Sequence, residues 1–464
     1  MSCTSGEAFE VDLSTPQSIH IVAIGGAGMS GIATILHESG HRVTGSDRSE
    51  SPFLIHLREL GIPVVVGTDS GNARSADLVA ISVAIPETDP DVIAARSAGV
   101  PVVRRTEILR SIASARRTIA VAGSHGKSST TAMLAVILKE CNCDVGYLVG
   151  ATVAQLGSNA SAGSTGEFIV EADESDRSFL ALLAYGAIVT NIEADHLDVY
   201  GSFEAVVAAF GEFVDAVRGP LLMCADDTYA MAIAAVRGCE TYGESANATF
   251  IMAGFTAVGL GSRFSISDTT SGASATVDLS VPGRHMALNA VAAIAMATRM
   301  GVPLADAARA AGRYRGIGRR FEAKGILNGV TFYDDYAHMP AELAANLRAI
   351  HDAVGENFSG KIVAVFQPHL YSRTFDNAAG FAASLALADF VVLAPIYGAR
   401  EAPVSDVTSG LIATLMGAET PVLLASDRGS LAESVRGVVR PGDICITFGA
   451  GDITTLYDEL KELE

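Results

Sequence analysis

Two glycine-rich turns hold the residues best suited to phosphate chemistry. The first reads Gly26-Ala27-Gly28-Met29-Ser30-Gly31, with Asp47 closing the next strand-like run, which is the spacing of a dinucleotide fingerprint. Its glycines let backbone amides approach any pyrophosphate at a helix N-terminus, that of a nucleotide sugar included, so the loop identifies phosphate and leaves the nucleotide open. The second turn, Gly123-Ser124-His125-Gly126-Lys127-Ser128-Ser129, ends like a Walker A loop but is shorter between its glycines. Its amides would cradle phosphates, Lys127 would neutralise the β and γ groups, and the Ser128 hydroxyl would reach Mg²⁺.

Acids and histidines follow in clusters. Glu171, Asp173, Glu174 and Asp176 come directly after an apolar run, and Glu193, Asp195, His196 and Asp198 come after another. Such a density of acid is unfavourable without cations. Beside a P-loop, one strand-end carboxylate holds Mg²⁺ and a neutral imidazole can be a second ligand. Further on, Asp334-Asp335-Tyr336-Ala337-His338, then His369 with Tyr371 and Arg373, then Gly449 to Asp452 form a polar set. It would suit a small zwitterion, with Arg373 taking a carboxylate and His338 or Asp335 lying near an amine.

The elements that must position these groups read as repeated βα units. Residues 18–24 form an apolar strand feeding the first glycine turn and a helix, and 43–47, 76–85 and 100–103 add strands with helices between them. A doubly wound, Rossmann-like first domain over 1–113 follows. The run 118–123 starts a second nucleotide-binding unit, which takes in 167–173 and 187–195, a small β-rich stretch at 249–281, and ends at 318. Strand-like runs at 329–338, 361–369, 388–398 and 443–452 make a third domain over 319–464. The expected class is α/β with three domains: a Rossmann-like one, a P-loop ATPase-like parallel sheet, and a C-terminal Rossmann-like one. Ligands of open parallel sheets bind beyond the carboxyl ends of the strands, where the polar residues collect.

Composition narrows the partners. The chain has 464 residues, 49% of them hydrophobic, with 46 glycines and no tryptophan, which suits helices on both faces of parallel sheets. A net charge of -20 without any basic run leaves little of the counterion release that drives nucleic-acid binding. Cys3, Cys141, Cys143, Cys224, Cys239 and Cys445 show no C-x-x-C pair and read as free thiols. The first twenty residues carry Glu7, Glu10 and Asp12 rather than a secretory signal, and no apolar stretch would span a bilayer. A cytoplasmic protein without membrane insertion, monomeric or homodimeric, is expected.

Together the segments IGGAGMSGIA, GSHGKSST, EADESD, TNIEADHLDVYG, GRRFE, DDYAH and FQPHLYSRT resemble the Mur ligase family, over about residues 19 to 453. Within that family they are most similar to the alanine-adding branch. The resemblance implies that ATP phosphorylates the lactyl carboxylate of UDP-N-acetylmuramate and that the amine of L-alanine attacks the acyl phosphate. Carried over position by position, it makes Lys127, His196, His338 and Arg373 catalytic, and Ser128, Glu171 and His196 ligands of Mg²⁺ or Mn²⁺. Asn289 would meet adenine, Arg320 a phosphate, and Asp334 or Asp335 the ribose. The nucleotide sugar would meet the first loop, Asp47 and Ser82, while Tyr336, His338, His369 and Arg373 would face the remaining substrate. Met286, Met339 and Leu370 depart from the family pattern, and 201–218 lacks the lysine that several siblings carbamylate.

Three other readings fit parts of the chain. A recycling ligase would attach a preformed peptide to the same sugar. An NAD-dependent oxidoreductase would use residues 26–31 and Asp47, but has no need of Lys127 and Ser128. A nucleotide-gated binding protein would share the loops without turnover.

Overall fold

The computed structural model describes residues 11–82, 84–355, 358–399 and 401–463, without the Asp198 side chain. Cys3, Glu7 and Glu10 lie outside these residues. Three sheets organise the chain. The first contains β1 (Ser18–Val22), β2 (Arg42–Asp47), β3 (Val64–Val66), β4 (Leu78–Ile81) and β5 (Val102–Arg104), in the order β3-β2-β1-β4-β5. Every pair is parallel. The order reverses between β1 and β4, so the turn after β1 opens at the switch point where doubly wound sheets bind ligands.

The second sheet is built from β6 (Arg117–Ala122), β7 (Gly146–Val153), β8 (Ser158–Ser161), β9 (Glu167–Glu171), β10 (Gly186–Val189), β11 (Leu221–Cys224), β12 (Glu240–Gly243), β13 (Phe250–Val258), β14 (Gly261–Asp268) and β15 (Ser274–Leu279). Its order is β15-β14-β13-β12-β11-β10-β6-β9-β7-β8. β6 lies between β10 and β9 and runs parallel to both, with Val121 beside Glu171 and Ala122 beside Val189. The segments leaving the carboxyl ends of these three strands therefore meet, although β6 ends at Ala122, β9 at Glu171 and β10 at Val189. The last three strands match the expected β-rich stretch.

β16 (Glu322–Leu327), β17 (Val330–Asp335), β18 (Ile362–Phe366), β19 (Phe390–Leu393), β20 (Val422–Leu424) and β21 (Ile444–Phe448) form the third sheet, ordered β16-β17-β21-β18-β19-β20. Only β16 pairs antiparallel. The strand ends align, with Asp335 beside Phe448 and Phe366 beside Phe448. Phe366, Phe381 and Phe448 are fully buried beneath them, each contributing roughly 1.5–3 kcal/mol by leaving water.

By compactness the chain divides into two units. One runs through Ala253 and includes Ser265–Val277 and Leu288–Arg313; the other comprises Gly254–Phe264, Asp278–Ala287 and Tyr314–Glu464. Among the described residues no helix is long and apolar enough to cross a membrane. Cys141, Cys143, Cys224, Cys239 and Cys445 carry free thiols.

Candidate functional site

In the first unit, the turn after β6 is braced from β10. Gly123 sits at φ +135°, and a Cβ there would collide with the Thr190 hydroxyl, so both conformation and space demand glycine. The Ser124 amide donates to the Asn191 carbonyl at 3.0 Å, and the His125 amide donates to Asn191 Oδ1 at 2.8 Å. Ser124 Oγ accepts from the Glu193 amide at 2.8 Å, and His125 Nε2 stands 3.3 Å from Glu193 Oε2. Asn289 lies against the same turn, since a Cβ on Gly126, itself at φ +84°, would come 2.7 Å from its Oδ1. The amides that remain point along the helix Lys127–Glu140, whose first turn includes the buried Ser128 and Ser129.

Two carboxylates hold the functional side chains of this turn. Lys127 Nζ donates to Glu174 Oε1 at 2.8 Å and to the carbonyls of Gly123 and Ser124 at 2.7 and 3.2 Å. Burial alone would lower the lysine's pKa, but the Glu174 carboxylate outweighs it and keeps the ammonium charged. Burial also raises the pKa of Glu174, beyond what Lys127 offsets, and leaves Glu174 Oε2 without a hydrogen-bond partner. Ser128 Oγ donates to Glu171 Oε1 at 2.8 Å, while Glu171 Oε2 accepts from the Gly150 amide at 2.9 Å. His196, at φ +55°, places Nε2 4.0 Å from Glu174 and 3.5 Å from Asp195. Among the described residues no three His, Cys, Asp or Glu side chains form a ready metal cluster.

The turn after β1 is held through its backbone. Asp47 Oδ2 accepts from the Gly25 amide at 2.8 Å, so the carboxylate at the end of β2 fixes the loop itself. Met29 and Ser30 point inward and are 3% and 2% exposed; Ser30 Oγ donates to the Ala27 carbonyl. These two residues can offer a ligand only their backbone, which narrows the contact expected of them. Ser82 follows β4, and its hydroxyl accepts from the Ala84 amide at 3.4 Å. A cavity of about 230 Å³ has Ala27, Gly28 and Arg105 on its walls, together with Gly150, Glu171 and Asp173. It thus joins the first glycine turn to the carboxylate that holds Ser128.

The second unit gathers its polar residues at the ends of β17, β18 and β21. Asp334 is 1% exposed and takes hydrogen bonds from the hydroxyls of Thr447 and Thr454 at 2.5 and 2.7 Å. Asp335 accepts from the amides of Phe321 and Ala337 at 2.6 and 2.7 Å, and burial pushes its pKa up to about 7. Both carboxylates are buried. His338 Nδ1 lies 3.0 Å from the Tyr336 carbonyl and 3.6 Å from Glu342, and burial lowers its pKa. Glu342 also stands 3.6 Å from Arg320, whose guanidinium covers the Tyr336 ring. His369 contacts Arg373 at 3.3 Å, stacks on Tyr397 and lies 6.2 Å from the His338 ring.

Residue patterns alone did not single out Thr190, Asn191, Arg105 or Glu342. Thr190 and Asn191 lie inside the recognised run 187–195, and Arg105 and Glu342 lie two and four residues beyond the runs 100–103 and 329–338, so position alone could have drawn attention to them. Met286 is buried, Met339 caps the helix Pro340–Val354, and Leu370 adopts φ +69° before the helix Tyr371–Leu385.

Comparison with known proteins assigns all three sheets. Residues 18–117 match the catalytic domain of the Mur ligase family, 121–297 its middle domain and 319–451 its glutamate ligase domain. The UDP-N-acetylmuramate–L-alanine ligase of Paenarthrobacter aurescens is 43% identical, covering 94% of each chain. That of Mycolicibacterium gilvum is 41% identical, covering 95% of each. Among solved structures, the UDP-N-acetylmuramate-alanine ligase of Thermotoga maritima aligns with TM-score 0.80 at 28% identity, over 96% of this chain and 99% of the other.

Proposed function

The chain belongs to the Mur ligase family, and from that premise we propose that it is the ATP-dependent ligase joining L-alanine to the lactyl carboxylate of UDP-N-acetylmuramate in peptidoglycan precursor synthesis. The observation that carries this reading is the cavity shared by Gly28 of the first glycine turn and Glu171, the partner of Ser128. A nucleotide sugar seated on the first turn would extend towards the place where a triphosphate is held. We place the functional domains at 1–113, 114–318 and 319–464, and the enzyme in the cytoplasm with its nucleotide substrates.

The lactyl carboxylate attacks the γ-phosphorus and ADP leaves. The alanine amine then attacks the acyl carbon, phosphate leaves and the amine sheds a proton. Two anions must meet in the first step, so positioning and charge neutralisation matter more than a protein nucleophile. Lys127 has three N–H donors, now spread over Glu174 and two carbonyls, and a phosphate oxygen competes for one of them. Glu174 thereby holds the ammonium at the turn, charged, until phosphate arrives. Gly123 to Ser129 supply the amides.

The oxygens of Ser128 and Glu171 fit a hard divalent cation, and the unpartnered Glu174 Oε2 is a further oxygen donor beside His196. We assign Mg²⁺ or Mn²⁺ to Ser128, Glu171 and His196, the last standing beside Glu174. When bound, the cation would neutralise charge on the transferring phosphoryl group. In the second unit we assign alanine to His338 and Arg373, with His369 orienting the arginine. Arg320 is the candidate phosphate contact. Asp334 and Asp335 we assign to bracing the strand ends.

Phosphate release from ATP and Mg²⁺ in the presence of UDP-N-acetylmuramate, with and without L-alanine, tests the reading. Alanine-dependent release with amide product is expected. Release only with a tripeptide would replace it with the recycling reaction, and no release with either would remove the ligase assignment.

A further inference from the structure

Arg105 opens the helix Arg105–Ser114, directly after β5, at the carboxyl end of the first sheet. Its guanidinium carries five N–H donors. Among the described residues its charged neighbours are Asp173 Oδ2 at 3.7 Å and Asp176 Oδ2 at 3.9 Å, both beyond hydrogen-bond reach. The side chain is only 25% exposed. Its nitrogens are not among the buried polar atoms without a partner, so a guanidinium whose N–H groups make no hydrogen bond to the protein keeps those donors open to a bound anion.

Two further observations give that anion a place. Arg105 lines the cavity between the first glycine turn and Glu171, and it is the cation in a lining that also contains Glu171 and Asp173. A Cβ at Gly28 would come 2.9 Å from Arg105 Nη1, so this glycine makes room for the guanidinium as well as for a phosphate. We infer that Arg105 is a substrate-binding residue that grips an anionic group of the nucleotide sugar, either its diphosphate or its lactyl carboxylate. The inference rests on the functional reading above and deepens it. The planar fork offers two parallel N–H bonds to either group, and its charge shields an incoming anion from Glu171 and Asp173.

Calorimetric binding to the full chain tests this, with UDP-N-acetylmuramate and UDP-N-acetylglucosamine as probes; the second has the diphosphate without the carboxylate. Arg105→Met is expected to weaken UDP-N-acetylmuramate roughly 10- to 100-fold, as loss of a charged hydrogen-bond donor does, and Arg105→Lys to weaken it less. Asp176→Asn, which removes one charged neighbour, is expected not to weaken it. An equal loss for both sugars supports the inference through the diphosphate, and a loss confined to UDP-N-acetylmuramate supports it through the carboxylate. Wild-type affinity in both Arg105 variants would overturn it, as would an equal loss in Asp176→Asn, which would make Arg105 a brace for the acidic loop. Should Arg105→Met fail to fold, Arg105→Lys against Asp176→Asn decides on the same readout. A wild-type chain that binds neither sugar would strike the functional reading instead.

Discussion

Glu171 at the end of β9 and Asp334 and Asp335 at the end of β17 look alike in the sequence: each acid closes an apolar strand of a parallel sheet and stands beside further polar residues. Their partners separate them. Glu171 and Glu174 take the hydroxyl of Ser128 and the ammonium of Lys127, side chains that belong to a phosphate-binding turn. Asp334 and Asp335 take two threonine hydroxyls and two backbone amides, groups that belong to the scaffold. An acid whose partner can exchange it for a ligand oxygen can hand that partner on, whereas an acid that satisfies buried amides cannot leave without orphaning them. Substitutions on the first side should therefore cost rate, and those on the second should cost stability.

The largest effect expected is on rate. Lys127→Ala removes the charge that faces the transferring phosphoryl group, and turnover should fall by at least about 100-fold, the scale seen when one preorganised donor is lost. UDP-N-acetylmuramate should still bind, since the first turn is held independently by Asp47. Steady-state phosphate release with calorimetric binding checks both halves. Wild-type turnover in this variant would dissolve the contrast at its strongest point.

The fold and the P-loop side were largely legible, because strand, glycine turn and helix follow one another locally and the loop chemistry lies within seven residues. The strands β3, β7, β8, β11, β12, β16 and β20 were not anticipated. Some are edge strands, some are only three or four residues long, and β8 and β16 run antiparallel, so a search for long apolar runs passes over them. The hydrogen-bond partners of Asp334 and Asp335 were equally hidden: they are Thr447 and Thr454, more than 110 residues away, and two amides whose direction the sequence does not encode. Arg105 was missed for the opposite reason, since its setting arises from packing between a glycine in one βα unit and acids in another.

A second test lies on the scaffold side. Asp335→Asn keeps one acceptor oxygen but turns an amide group towards the other buried N–H, so stability should fall by about 1–3 kcal/mol. The sign of the pH dependence follows from linkage. The folded chain, with Asp335 near pKa 7, binds this proton more tightly than the unfolded chain does near 4, so the stability it lends is full below about 4 and lost as pH rises towards about 7. The cost of the substitution, read by urea denaturation, should accordingly be greatest at about pH 4 and shrink steadily as pH rises to about 7. A cost that grew with pH would show that Asp335 is ionised and that its buried amides, not its burial, set its state.

The smallest effect sharpens the comparison most, because the same bond can be cut on each side. Thr454→Val and Ser128→Ala each remove one hydroxyl that donates to a strand-end carboxylate, at 2.7 and 2.8 Å. Asp334 keeps Thr447 on its other oxygen and Arg319 at 3.6 Å, so Thr454→Val should destabilise by only about 1 kcal/mol, with turnover of the folded protein unchanged. Glu171 keeps the Gly150 amide, so Ser128→Ala should melt close to wild type while turnover falls, since the hydroxyl is needed where phosphate and cation would be held. Paired thermal melts and turnover assays read both. If the two variants behaved alike in rate, the two acid sites would differ in burial alone, and the division between chemistry and scaffold would have to be drawn elsewhere.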